Sequence, residues 1–138
     1  MGPQPRNAGT PFNPEPWVDP GNCVKCVASL LDYIFNDDFV MQANEYPTTQ
    51  VNAGMIPRAL SYLHEQVGVT FDAQVRPVAG AALPAGDYVV FSNFVEGRPS
   101  HISFGRAWGG PLDFYDPQSG STSAPSGSYV VYRVIYPE

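Results

Sequence analysis

Charge is scarce in this chain: only 14% of its residues are Asp, Glu, Lys or Arg. The seven basic residues are scattered and the net charge is −6, so no basic face is available to track a phosphate backbone. Nucleic acid is therefore not expected as a partner. No apolar run is long enough to cross a bilayer, which argues against membrane insertion. Residues 1–17 also lack the charged-then-apolar form of a secretory signal. A soluble chain is expected, and if it leaves a cell it does so without a classical signal peptide of its own. Only two cysteines and two histidines occur, so any chemistry built on them has few possible members. At 138 residues the chain has the length of one domain that can build a core without obligatory staples.

Proline and glycine, in contrast, are plentiful, with 15 and 13 residues. Five of the prolines fall within the first 16 residues, in "GPQPRNAGTPFNPEP". That density predicts an extended arm or linker over residues 1–20 rather than core, with the folded domain spanning 21–138.

The clearest helix is "NCVKCVASLLDYIF". Cys26, Val27, Leu30, Leu31 and Ile34 recur at three- and four-residue intervals and make one apolar face. Asn22 is placed to cap it, with Pro20-Gly21 as the entering turn. A second helix is expected from Pro57 to Val67, with Leu60, Leu63 and Val67 as its stripe and Gly68 as its stop. From residue 69 onward the pattern changes. "GDYVVFSNFV", "PSHISFGRA", "PLDFYDP" and "GSYVVYRVIY" are β-branched and aromatic runs between turns, and "VTFDAQVRPV" is a possible fifth. Helices followed by strands predict an α+β fold, with N-terminal helices packed on an antiparallel sheet of four to five strands.

The two cysteines stand in "PGNCVKC", which allows a redox pair, half a metal site, or a nucleophile beside a structural thiol. Cys26 lies on the face expected to be buried, where a thiolate is costly. Cys23 stands at the expected exposed start of the helix, where unpaired N–H groups and the helix dipole favour a thiolate. A nucleophilic thiolate needs a base, and histidine is the usual one. His64 falls mid-helix beside Leu60 and reads as a half-exposed helix residue. His101 falls in a strand, and the next strand leads into "DFYDPQSG".

A turn at Gly109-Gly110 sets Ser103 opposite Asp116 and His101 opposite Gln118, whereas a turn at Trp108-Gly109 sets His101 opposite Asp116. In either register His101, Asp116 and Gln118 share one sheet face. The expected constellation is Cys23 as nucleophile, His101 as base and later acid, and Asp116 as the group that orients the ring. The Cys23 backbone N–H is the natural oxyanion donor, with Gln118 or Asn22 as a second. Each member has a plainer reading: a partly buried thiol, a satisfied strand histidine, and an Asp-Pro turn.

"GNCVKCVASLLDYI", then a strand bearing "SHIS", then "FYDPQSG" resembles the papain-fold toxin domains of bacterial polymorphic toxins, commonly glutamine deamidases. The likeness runs from about Gly21 onward, and "DPQ" after the histidine strand is its more specific part. It implies a reduced papain-like fold with Cys23, His101 and Asp116 at the catalytic positions and Gln118 as their companion. It further implies the C-terminal position in a large secreted toxin, action on a target protein in the cytoplasm of the recipient cell, and a cognate immunity protein as partner. One departure stands out. Papain-type proteases carry a glutamine a few residues before the cysteine to complete the oxyanion hole, and "PWVDPG" has none.

Other readings remain. A thioredoxin-like motif would need a preceding strand and a βαβ pattern, whereas "EPWVDPGN" is turn-rich. Zinc would need Cys23, Cys26, His64 and His101, yet the two histidines lie far apart in different elements, so neither metal nor cofactor is expected. A non-enzymatic binding domain, or a toxin fold that has lost catalysis, also fits. Among cysteine hydrolases, deamidation, proteolysis and transglutamination share the triad and differ only in pocket shape.

Overall fold

The computed structural model describes residues 10–13, 22–36, 41–47 and 51–138. Among the described residues two α-helices, α1 (Cys23–Asn36) and α2 (Ile56–Val67), with a short 3-10 turn at Ala43–Glu45 between them, precede five strands. The strands are β1 (Thr70–Phe71), β2 (Gly86–Val95), β3 (Arg98–Ala107), β4 (Leu112–Tyr115) and β5 (Val130–Ile135). They form one sheet in the order β1-β5-β2-β3-β4, and every pairing is antiparallel. The α+β expectation, with helices first and five strands after, is met. The possible fifth strand is short: two residues of β1, followed by a single bridge from Val75 to Val131.

Local chemistry sets the element ends. Pro57 occupies the first turn of α2, where its missing N–H costs nothing. Gly68 ends that helix at φ 89°, and its N–H returns to His64 O at 2.7 Å. The β2–β3 hairpin closes at the pair Val95–Arg98 around Glu96 and Gly97, both with positive φ. Two successive positive φ values define a turn whose twist matches that of the flanking strands.

α1 packs on β3 and α2, and one face of the sheet supplies the rest of the main core. Val27, Leu31, Leu63, Val89, Phe91, Ile102 and Val130 meet there, essentially without solvent contact. Burying one such side chain stabilises the fold by about 1.5–3 kcal/mol. The alternate residues of β2, Tyr88 and Val90, belong to a second cluster on the opposite face, with Ala107 and Val131. β2 is therefore buried on both faces, which is why "YVVF" is continuously apolar rather than alternating.

Two expectations need correction here. α1 is buried nearly all round through Leu31, so Cys23, at 5% exposure, is not an exposed helix start. Part of the N-terminal arm is core rather than linker. Phe12 is buried in the main cluster, edge-on to Tyr33 and Tyr115 at centroid distances of 5.8 and 6.3 Å. The remainder of the arm, residues 1–9 and 14–20, lies outside the described residues.

Candidate active site

The β3–β4 ladder fixes where the site can form. Its pairs run from Ala107–Leu112 to Phe104–Tyr115, a register that would continue to Ser103–Asp116 and His101–Gln118. The first of the two expected registers is therefore the one adopted, with a four-residue connection, Trp108 to Pro111, in place of a two-residue turn. The ladder stops at Tyr115. Asp116 and Gln118 are not strand residues sharing a face with His101; they belong to a turn that leaves the sheet edge.

That turn is held from within. Asp116 Oδ1 accepts the backbone N–H of Gln118 at 2.9 Å, an Asx-turn in which Pro117 presets the intervening φ. The Asp116 N–H reaches Ser121 O at 2.8 Å, and its carbonyl accepts Gly120 N–H at 2.6 Å. One carboxylate oxygen thus shapes the turn. The other, Oδ2, lies 2.7 Å from His101 Nε2. Asp-Pro-Gln serves as turn and as carboxylate donor together.

His101 is a β3 residue paired with Ser92 of β2, and its side chain is 20% exposed. Asn93, next to Ser92, takes φ 57°, a conformation asparagine tolerates better than most residues. Cys23 is the ring's other titratable neighbour, and like Asp116 it favours the protonated form. Nε2 is committed to Asp116. The hydrogen bond to Asp116, and then the side chain of Cys23, raise the His101 pKa to about 10. Burial opposes the rise, and the charges of the same two partners support it. Burial would raise the Asp116 pKa, but the hydrogen bond and charge of His101, with help from Gln118 N–H and Ser119, hold it below the usual value. A pKa near 10 favours the imidazolium at neutral pH, paired with the Asp116 carboxylate.

Cys23 is the first residue of α1, and the Asn22 carbonyl accepts the Cys26 N–H at 3.0 Å as the helix begins. The Cys23 N–H has no acceptor among the described residues, as expected in a first helical turn, and remains available to an oxyanion. Asn22 and Gln118 stand differently from expectation. Gln118 Nε2 donates to Asn22 Oδ1 at 3.0 Å, and Asn22 Nδ2 donates to Asn13 Oδ1 at 3.0 Å. Each amide spends an N–H on structure, so both fit a supporting role better than that of second oxyanion donor. Nor does the Asn22 side chain simply cap α1, since its Oδ1 also receives the Cys26 thiol at 3.4 Å.

His64 does not join this cluster. It is exposed on α2, with Nδ1 3.0 Å from Val69 O. A cavity of about 250 Å³ opens against His101 and Asp116 and is bordered by Ser92, Ser103 and Ser121; Cys23 does not line it. Thr10 and Asn13 were missed in the sequence because they sit in the proline-rich arm. Thr10 Oγ1 donates to the Pro117 carbonyl, and Asn13 Nδ2 donates to Gln118 O at 3.0 Å. An aromatic between two turn-forming polar residues, "TPFN", was the available signal for a docked segment. Comparison with family models, curated proteins and solved structures found no match to this chain.

Proposed function

We propose that this chain is a cysteine-dependent amide hydrolase of reduced papain-like fold, a toxin or effector domain that deamidates a glutamine of a target protein. The single observation that carries the reading is the His101–Asp116 hydrogen bond at 2.7 Å, with Cys23, which opens α1, as the ring's other titratable neighbour. A thiol at a helix start beside an imidazolium has the electrostatic partner a thiolate nucleophile needs.

Cys23 sulfur attacks the side-chain carbonyl carbon of the substrate glutamine, and the carbonyl oxygen takes the negative charge against the Cys23 N–H. As the C–N bond breaks, His101 gives its proton to the departing nitrogen, which leaves as ammonia. A thioester remains. The sulfur is now uncharged, so the Cys23 contribution to holding the ring protonated disappears and His101 can act as a base. It takes a proton from water, the hydroxide adds to the thioester, and the C–S bond breaks to leave glutamate and regenerate Cys23. Asp116 keeps the ring oriented and its charge compensated throughout.

The preference for a side-chain amide over a backbone one rests on the resemblance of "NCVKC", "SHIS" and "DPQ" to the toxin deamidases. Delivery as the C-terminal part of a larger toxin, a target in the recipient cytoplasm and a neutralising immunity protein rest on the same resemblance. Whole-proteome mass spectrometry on bacterial cells expressing the chain or its Cys23→Ala variant tests the reading. A glutamine converted to glutamate only with intact Cys23 supports a deamidase and names its target. New peptide termini without that conversion make it a protease. Neither change, in cells of several kinds, favours a binding domain, the reading to which the 5% exposure of Cys23 lends weight.

A further inference from the structure

The N-terminal segment Thr10–Asn13 reaches the candidate site through a closed set of amide bonds. Asn13 Nδ2 donates to Gln118 O, Gln118 Nε2 donates to Asn22 Oδ1, and Asn22 Nδ2 donates to Asn13 Oδ1, each at 3.0 Å. Three separate stretches of chain meet in this ring: the arm, the residue before Cys23, and the turn that carries Asp116. Asn13 is 2% exposed and Asn22 is 7% exposed, so water does not readily replace a lost partner. The segment is itself a tight turn. Thr10 and Asn13 exchange backbone hydrogen bonds at 3.1 Å in both directions, and Thr10 Oγ1 accepts the Asn13 N–H at 3.0 Å. Phe12 anchors it in the core, and the Phe12 carbonyl accepts Ala43 N–H at 2.8 Å.

We propose that Asn13 is a positioning residue of the Cys23–His101–Asp116 site, fixing the distance between the start of α1 and the Asp116 turn. The proposal rests on the reading of those three residues as a catalytic set. Cys23 and Asp116 belong to elements that no ladder joins directly, because β4 ends at Tyr115. Asn13 spans that gap, touching Gln118, two residues after Asp116, and Asn22, the residue before Cys23. The segment Thr10–Asn13 is thereby part of the site.

The test uses the full chain with Asn13→Ala, and two readouts. NMR follows the protonation of the His101 ring, which faces Asp116 and Cys23. Iodoacetamide alkylation follows Cys23, and trypsin cutting at Lys25 separates the Cys23 and Cys26 peptides. The wild-type ring is expected to titrate near 10. In Asn13→Ala its midpoint should fall by about one pH unit, a tenfold change in proton equilibrium. Cys23 alkylation at pH 7 should slow by roughly tenfold, as a loosened pairing would require, while the far-UV spectrum stays unchanged.

A folded Asn13→Ala protein with wild-type titration and alkylation overturns the proposal. If that variant does not fold, Asn13→Leu, closer in volume, is read in the same way. If neither folds, Asn13 is a folding residue and the proposal fails. A wild-type His101 that titrates near 6.5 would instead remove the catalytic reading on which the proposal stands.

Discussion

The side-chain amide of Gln118 donates to Asn22 Oδ1 at 3.0 Å, tying the turn that carries Asp116 to the residue that precedes Cys23. The two residues are 96 positions apart in the chain, so this bond helps set the site's tertiary geometry. Gln118→Ala should lower the turnover rate by roughly tenfold to a hundredfold through misplacement of the reacting groups. Gln118→Glu should do no better than Gln118→Ala, because it sets a carboxylate oxygen against Asn22 Oδ1. Steady-state kinetics on the identified target decides the point. Glutamine acting instead as a substrate-binding group would raise KM and leave kcat in place.

The catalytic set predicts a sharper pattern. Cys23→Ala, His101→Ala and Asp116→Ala should each reduce amide hydrolysis by at least about 10²-fold, with each protein still folded. Cys26→Ser should behave oppositely. Cys26 has no solvent exposure, and its thiol donates to Asn22 Oδ1 at 3.4 Å. Replacing it should cost about 1–3 kcal/mol of stability in urea unfolding while leaving much of the turnover. Full activity in Cys23→Ala, with loss only in Cys26→Ala, would reverse the assignment of the two thiols.

The elements were legible where one local rule governed them. Proline early in α2 and glycine after it marked that helix to within a residue of its bounds, Ile56–Val67. His101 and Asp116 were legible as a pair because register parity and an Asp-Pro turn pointed the same way. The reason for their contact was not. The ladder stops at Tyr115, and Asp116 meets His101 from a turn, an outcome that strand alternation does not encode. Cys23 was expected at an exposed helix start because helical periodicity reads one face at a time. Its burial depends on packing from segments distant in sequence. For the same reason Thr10, Phe12 and Asn13 were invisible as site and core. Proline-rich composition describes how a chain behaves alone, and here tertiary partners override it for a short stretch.

The state of His101 gives a pH prediction. Its folded pKa, about 10, lies above the ordinary 6.5, so its pairing contributes fully to stability below pH 6.5. That contribution is lost as pH rises through about 10. Asp116 is shifted down, so its own contribution is present above the ordinary 3.8 and is lost as pH falls. The stability gap between wild type and His101→Ala should therefore narrow between pH 6.5 and 10, measured by urea unfolding across that range. Turnover should also fall as pH approaches 10, because the ring then lacks the proton that departing ammonia requires. A gap that widens over this window would contradict the assigned pairing.

Phe12 tests whether the arm belongs to the folded unit. It is 7% exposed and edge-on to Tyr33 of α1 and to Tyr115, the last residue of β4. Phe12→Ala removes this anchor. In a closed core such a truncation costs about 3–5 kcal/mol. Here the segment can detach instead, which limits the loss to what docking itself contributes. The expected result is thus a modest drop in global stability with a larger local effect. Hydrogen exchange at the Ala43 N–H, which bonds to the Phe12 carbonyl, should accelerate more than exchange within β2 and β3. Turnover should fall with it, since the bonds from Thr10 to Pro117 and from Asn13 to Gln118 would be lost. Uniform acceleration of exchange across the sheet would mean that Phe12 supports the whole fold rather than docking a segment. Unchanged exchange at Ala43 would mean that the arm is not held by Phe12 at all.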